Sequence, residues 1–184
     1  MKKVKILSAI AVVFLAVVAL SISSCKKSSS SAPTLYDSLG GTKMVADPAN
    51  PGTTIESGRL GIRSVLDSTV FVIAADTSIN KYFMVLLGEL HGDNTGGLSA
   101  LSKNLTDFVC VATGAKDFKY TGLSMTAAHN PSSNPRISET VDNADFTEFV
   151  NDLVVGANQN HLPANLIGSV GALVETLRTT VVQR

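Results

Sequence analysis

From Ile62 to the C-terminus, apolar residues return every three to four positions and almost never every second one. The runs are Ile62, Val65, Leu66, Thr69, Val70 and Ile73; Leu98, Leu101, Leu105, Phe108 and Ala112; Phe146, Phe149, Val150, Leu153 and Val154; and Leu162, Leu166, Val170, Leu173, Leu177 and Val181. That period places each set on one stripe of a helix, so the chain is expected to be all-α. No segment alternates long enough for a convincing sheet, although Val70 to Ala75 is open to either reading on propensity. Helix ends are also marked. Gly114 follows the second run, and Asp142 or Asn143 can cap the third, with Asp145 and Glu148 favourable in its first turns. Pro163 stands where the last helix begins. Gly88 to Gly97, with Asp93-Asn94-Thr95-Gly96-Gly97, reads as a turn.

The first twenty-five residues stand apart from this pattern. Lys2, Lys3 and Lys5 precede an apolar run from Ile6 to Leu20, and Ile22-Ser-Ser-Cys25 closes it. A basic stretch, a short apolar core and small residues before a cysteine make a secretory signal. It resembles a bacterial lipoprotein signal, which implies cleavage before Cys25 and acylation of that residue. The other reading is an uncleaved anchor helix. Residues 26–33, rich in serine, read as a tether, and 34–184 as one domain. Without the three N-terminal lysines the fifteen basic and fifteen acidic residues become a formal charge of −3, with no basic patch for nucleic acid. With Cys25 acylated, Cys110 has no intramolecular partner, and its apolar surroundings suit a small buried residue.

Three motifs occur in order within 34–184. Leu35-Tyr36-Asp-Ser-Leu39-Gly40-Gly41 is a short helix ended by two glycines. Ile79-Asn-Lys-Tyr82-Phe83 carries an aromatic pair. Tyr120-Thr-Gly-Leu-Ser-Met125-Thr-Ala-Ala-His129 puts Met125 four residues before His129, on one face of a short helix read over 122–130. Together they resemble the truncated globins (group 1-like), haem proteins built as a two-over-two helical sandwich. Two stretches exceed the family pattern, 43–61 and 130–140, both read as loop insertions from their Pro and Gly content.

The resemblance implies haem b, with His129 as the proximal iron ligand. Its second ring nitrogen then needs an acceptor, normally a backbone carbonyl of the same segment. Met125, Phe83, Ile137, Val141 and Phe146 match apolar positions around the porphyrin, and plain core packing would explain each as well. Tyr120, Lys119 and Lys116 fall where a hinge meets the haem edge. On the distal side the matching positions are Val70, Leu101 and Leu105, where many relatives carry hydrogen-bond donors; a shift of one residue would bring in Thr69 or Asn104 instead. Bound dioxygen would then lack a donor. His91 is open as a sixth ligand or an exposed turn residue, and His161 reads as solvent-facing. No His-x-x-x-His, paired cysteines or carboxylate cluster suggests zinc, and no hydrolase spacing or glycine-rich phosphate loop occurs. The expected protein is a lipid-anchored, extracytoplasmic globin, at the outer membrane rather than the inner, binding a diatomic gas ligand (O2, NO or CO) as sensor, scavenger or redox partner. An apolar distal side without a proton-handling group favours ligand binding over catalysis. The alternative is a haemless helical lipoprotein serving as an envelope interaction or structural module.

Overall fold

The structure, a computed structural model, describes residues 32–184. The expected signal and the expected acylation site at Cys25 lie outside the described residues, as does most of the expected tether. Four helices carry the domain: α2 (Ser57–Ala75), α4 (Gly96–Ala112), α6 (Asn143–Gln159) and α7 (Ala164–Glu175). Between and around them come α1 (Leu35–Ser38), strands β1 (Met44–Ala46) and β2 (Thr54–Glu56), a 3-10 turn at Asn80–Phe83, α3 (Met84–His91), α5 (Met125–Ala128) and α8 (Arg178–Val181). The all-α, two-over-two architecture expected from the periodicity and the motifs is present.

α2 is the central helix, packed on α6 and on α4. At the α2–α6 crossing the backbones touch. A Cβ on Gly156 would lie 2.8 Å from the Thr69 amide nitrogen and 3.0 Å from its Cα. Thr69 fits this contact by donating its hydroxyl to the Val65 carbonyl of its own helix, at 2.8 Å. On the other flank, α4 buries Thr106, Asp107 and Cys110. Asp107 pairs with Arg59 of α2 at 2.6 Å, and the Ser102 hydroxyl donates to Asp67 at 2.5 Å. Cys110 is fully buried, and burial pushes its thiol up to about 11, so it stays protonated and unreactive. α6 opens with a reciprocal cap between Asp142 and Asp145.

Five local expectations are corrected. The 43–61 stretch is not a plain loop: β1 and β2 pair antiparallel in it, with Val45 opposite Ile55. Three-residue strands are too short to show alternation. Their connection makes two tight turns, Asp47–Asn50 and Asn50–Thr53, each with proline second, and Gly52 at φ +87° supplies the left-handed position. α2 starts at Ser57 rather than Ile62, because Gly58 and Gly61 lie inside it. A Cβ on Gly58 would meet the Tyr36 ring at 2.9 Å, so this glycine seats α1 against α2. α3 runs through Gly88, read as part of a turn; an exposed helical glycine costs only about 1 kcal/mol. The 122–130 segment forms a single turn, Met125–Ala128, and the last helix breaks at Thr176–Leu177.

Candidate functional site

The apolar faces of the four long helices do not close on one another. They line a cavity of about 500 Å³. α2 contributes Ile62, Val65 and Leu66, α4 Leu101, Leu105 and Phe108, α6 Phe146, Phe149, Val150 and Leu153, and α7 Ile167, Val170 and Val174. The space reaches the surface beside Leu123, Asn104 and Arg136, all exposed. Cofactor and ligand sites span about 300–1,000 Å³. The cavity's size and its largely apolar lining suit a large apolar guest.

His129 projects from the end of α5 into this wall. Its Nδ1 lies 2.8 Å from the Met125 carbonyl oxygen. A carbonyl only accepts, so Nδ1 carries the proton and Nε2 keeps a free lone pair. Burial lowers the affinity of the ring for a second proton and outweighs the Met125 carbonyl, which acts in the opposite direction. The imidazole is thus neutral near pH 7, the form a metal requires. The single turn that carries it is fastened at each exposed point. Ser124 caps its start by accepting from the Ala127 amide. Asn134 donates to the Ala128 carbonyl at 2.8 Å, and Gln183 donates to the Thr126 carbonyl at 2.8 Å. Asn130 donates in turn to Gln183 at 3.1 Å. The 130–140 stretch therefore holds the histidine segment in place.

The structure brings His129, Met125, Phe83, Leu101, Leu105, Tyr120, Ile137, Val141 and Phe146 together on the cavity wall. It does not bring Val70 there. Val70 is buried, but the α2 wall ends one turn earlier, at Leu66, because Thr69 has already met Gly156 of α6. The place on the wall expected of Val70 is thus corrected: the α2 residues that line the cavity are Ile62, Val65 and Leu66. Of the two residues a register shift would introduce, Asn104 reaches the wall and Thr69 does not. Lys116, Lys119, His91 and His161 are exposed and away from the wall.

The polar groups of the wall are nearly all committed. Tyr82 donates to Asp145 at 2.5 Å, Tyr120 to the Leu123 carbonyl at 2.6 Å, and Arg136 is held by Glu89 through two bonds of 2.9 and 2.7 Å. Burial alone would raise the Asp145 carboxyl; the Tyr82 hydroxyl, the Asp142 amide, Lys81 and Arg184 together bring it down to about 2. Among the described wall residues, the His129 Nε2 and the Asn104 amide are left without a partner. Sequence reasoning missed the Arg136–Glu89 bridge at the mouth. Gly97 was its one trace: a side chain there would collide with the Glu89 carboxylate.

Four long helices around an apolar cavity, with one neutral histidine on a short helix in its wall, define the truncated, two-over-two globin fold. Solved structures agree. The truncated haemoglobin of Tetrahymena pyriformis in its Fe(III) form matches with a TM-score of 0.56 and 17% identity, over 83% of this chain and 100% of that one. The 2/2 haemoglobin of Synechococcus sp. PCC 7002, in the cyanomet state with covalently attached haem, matches with a TM-score of 0.56 and 20% identity, over the same shares. No family model and no curated protein matches the sequence.

Proposed function

We propose that this chain is a haem b-binding, group 1-like truncated globin that binds a diatomic ligand, O2, NO or CO, in the cell envelope. One observation carries the reading: the only polar function on the buried wall without a partner among the described residues is the neutral Nε2 of His129, in an apolar cavity of about 500 Å³. Haem, when bound, would supply an iron able to bind a diatomic gas. His129 would hold the iron. Met125, Phe83, Ile137, Val141 and Phe146 exclude water around the ring, and the Arg136–Glu89 bridge narrows the mouth. The haem-bearing structural neighbours support this reading.

The chain's residues also set which gas is retained. Ile62, Val65, Leu66, Leu101 and Leu105 offer no donor, and Asn104 stands at the exposed rim. A ligand that gains negative charge when bound, as dioxygen does, is held longer where a donor faces it. CO and NO should therefore bind well while dioxygen leaves fast. Leu101→Gln should slow dioxygen release by about tenfold or more, the worth of one charge-assisted hydrogen bond of about 1.5–3 kcal/mol. Stopped-flow measurement of O2 dissociation checks this. A slow wild-type rate that Asn104→Leu accelerates would make Asn104 the donor and overturn the donor-free wall.

The sequence of residues 1–25 supports a lipoprotein, acylated at Cys25 and carrying the domain on 26–33 outside the cytoplasm. Lys26 in place of an aspartate after the cysteine supports the outer membrane. In this role the globin acts as sensor, scavenger or redox partner at the membrane surface. Cys25→Ser should abolish acylation and leave the precursor uncleaved, as read by intact mass. A wild-type mature chain that is soluble and begins at another residue would refute the anchor.

A further inference from the structure

The other buried carboxylates of the domain meet cations. Asp47 meets Arg63 at 2.7 Å, and Asp107 meets Arg59 and Lys103 at 2.6 Å each. Asp152 of α6 does not. It is 6% exposed, and among the described residues neither a cation nor a hydrogen-bond donor reaches its buried Oδ2. Two further carboxylates face it instead. Glu148 lies one turn earlier on α6, and Asp76 ends α2. Asp76 Oδ1 accepts from the Ser78 amide at 2.8 Å, while its Oδ2 is buried without a partner. The three groups place carboxylate oxygens within 4.8 Å of one another.

Such a cluster is costly as bare anions, since like charges at this range repel and burial removes the water that would screen them. A proton shared between two of the carboxylates would still leave the third without a positive partner. A hard divalent cation satisfies all three, because its preferred ligands are oxygens. Ca²⁺ takes oxygens at about 2.3–2.6 Å in flexible geometry, whereas Mg²⁺ demands a near-ideal octahedron, so an irregular set of carboxylates drawn from two helices suits the larger ion. The C-terminal end of α2, with its partial negative charge, adds to the attraction. We propose that Asp76, Glu148 and Asp152 form a divalent-cation site of the Ca²⁺ type that clamps the end of α2 to α6. Burial and the two neighbouring carboxylates push the Asp152 carboxyl up to about 6, in keeping with a missing positive partner. None of the three residues lines the apolar cavity, so the site is separate from the proposed haem pocket.

Thermal unfolding of the full-length protein in CaCl2 and in EDTA tests the site, with calorimetric titration of Ca²⁺ alongside. Wild type should unfold at a higher temperature in CaCl2. Asp152→Asn, which keeps shape and removes charge, should erase that difference, and Glu148→Gln should weaken Ca²⁺ binding by about tenfold or more. Equal unfolding temperatures in CaCl2 and EDTA for wild type, with Asp152→Asn raising both alike, would show a protonated carboxylate cluster and overturn the proposal. So would a calcium-dependent rise that survives Asp152→Asn, or one produced by MgCl2 and not by CaCl2.

Discussion

Gly156→Val should lower the unfolding temperature by about 2–12 °C, the largest stability effect expected from a single substitution in this domain. The reason is geometric. α2 and α6 cross with Gly156 pressed on Thr69, and even a Cβ would fall 2.8 Å from the Thr69 amide nitrogen. The Thr69 hydroxyl is in the way, and behind it the backbone of a 19-residue helix, so turning that side chain aside does not clear the space. The helices must separate, which disturbs the crossing at which α2 and α6 meet below the cavity. Overpacking of this kind costs about 1–3 kcal/mol and occasionally more, and 1 kcal/mol shifts melting by about 2–4 °C in a domain of this size. Gly156→Ala should show the same effect at smaller amplitude. Gly168→Ala is the control, since nothing lies within 4 Å of its Cβ position. If Gly156→Val melts with wild type, the close crossing is wrong.

His129→Ala should abolish iron coordination by the protein while leaving the fold intact. The substitution removes one partly buried ring and one hydrogen bond, Nδ1 to the Met125 carbonyl. α5 keeps its Ser124 cap and its ties to Asn134 and Gln183, so the segment should persist. Far-ultraviolet dichroism should therefore match wild type, while the Soret band of protein prepared with haem should collapse or shift. Added imidazole should restore it, because the apolar walls remain to seat the ring. Retention of the wild-type ferrous spectrum in His129→Ala would show that another side chain is the ligand. His91→Ala would then be the next variant, although His91 is exposed and stands off the wall.

The four long helices were legible because burial imposes its own period: Leu153 and Ala157, or Ile62 and Leu66, recur one turn apart whatever they pack against. The histidine segment was legible because its chemistry is local. Met125 and His129 sit on one turn, and the carbonyl that orients the ring belongs to that turn. What escaped is set by contacts distant in sequence or by backbone. Gly58 and Gly61 look like helix breakers until Tyr36 is placed against the first of them. Val70 kept the right helix but the wrong wall, since the place where α2 leaves the cavity depends on Gly156, far along the chain. The Arg136–Glu89 bridge joins residues 47 apart, and nothing near either one announces the other. The Asp76, Glu148 and Asp152 cluster is hidden for the same reason, as one of its three carboxylates comes from the end of α2.

The central claim is that the cavity is a haem pocket with His129 as its iron ligand. Titration of the full-length protein with haem, followed by visible absorbance, tests it most directly. The account predicts saturation at one haem per chain, and on reduction a five-coordinate ferrous spectrum that converts fully with CO. A folded protein that takes up no haem would contradict it and favour the haemless envelope module. A low-spin, six-coordinate ferrous spectrum that reverts in His91→Ala would contradict the single-histidine site.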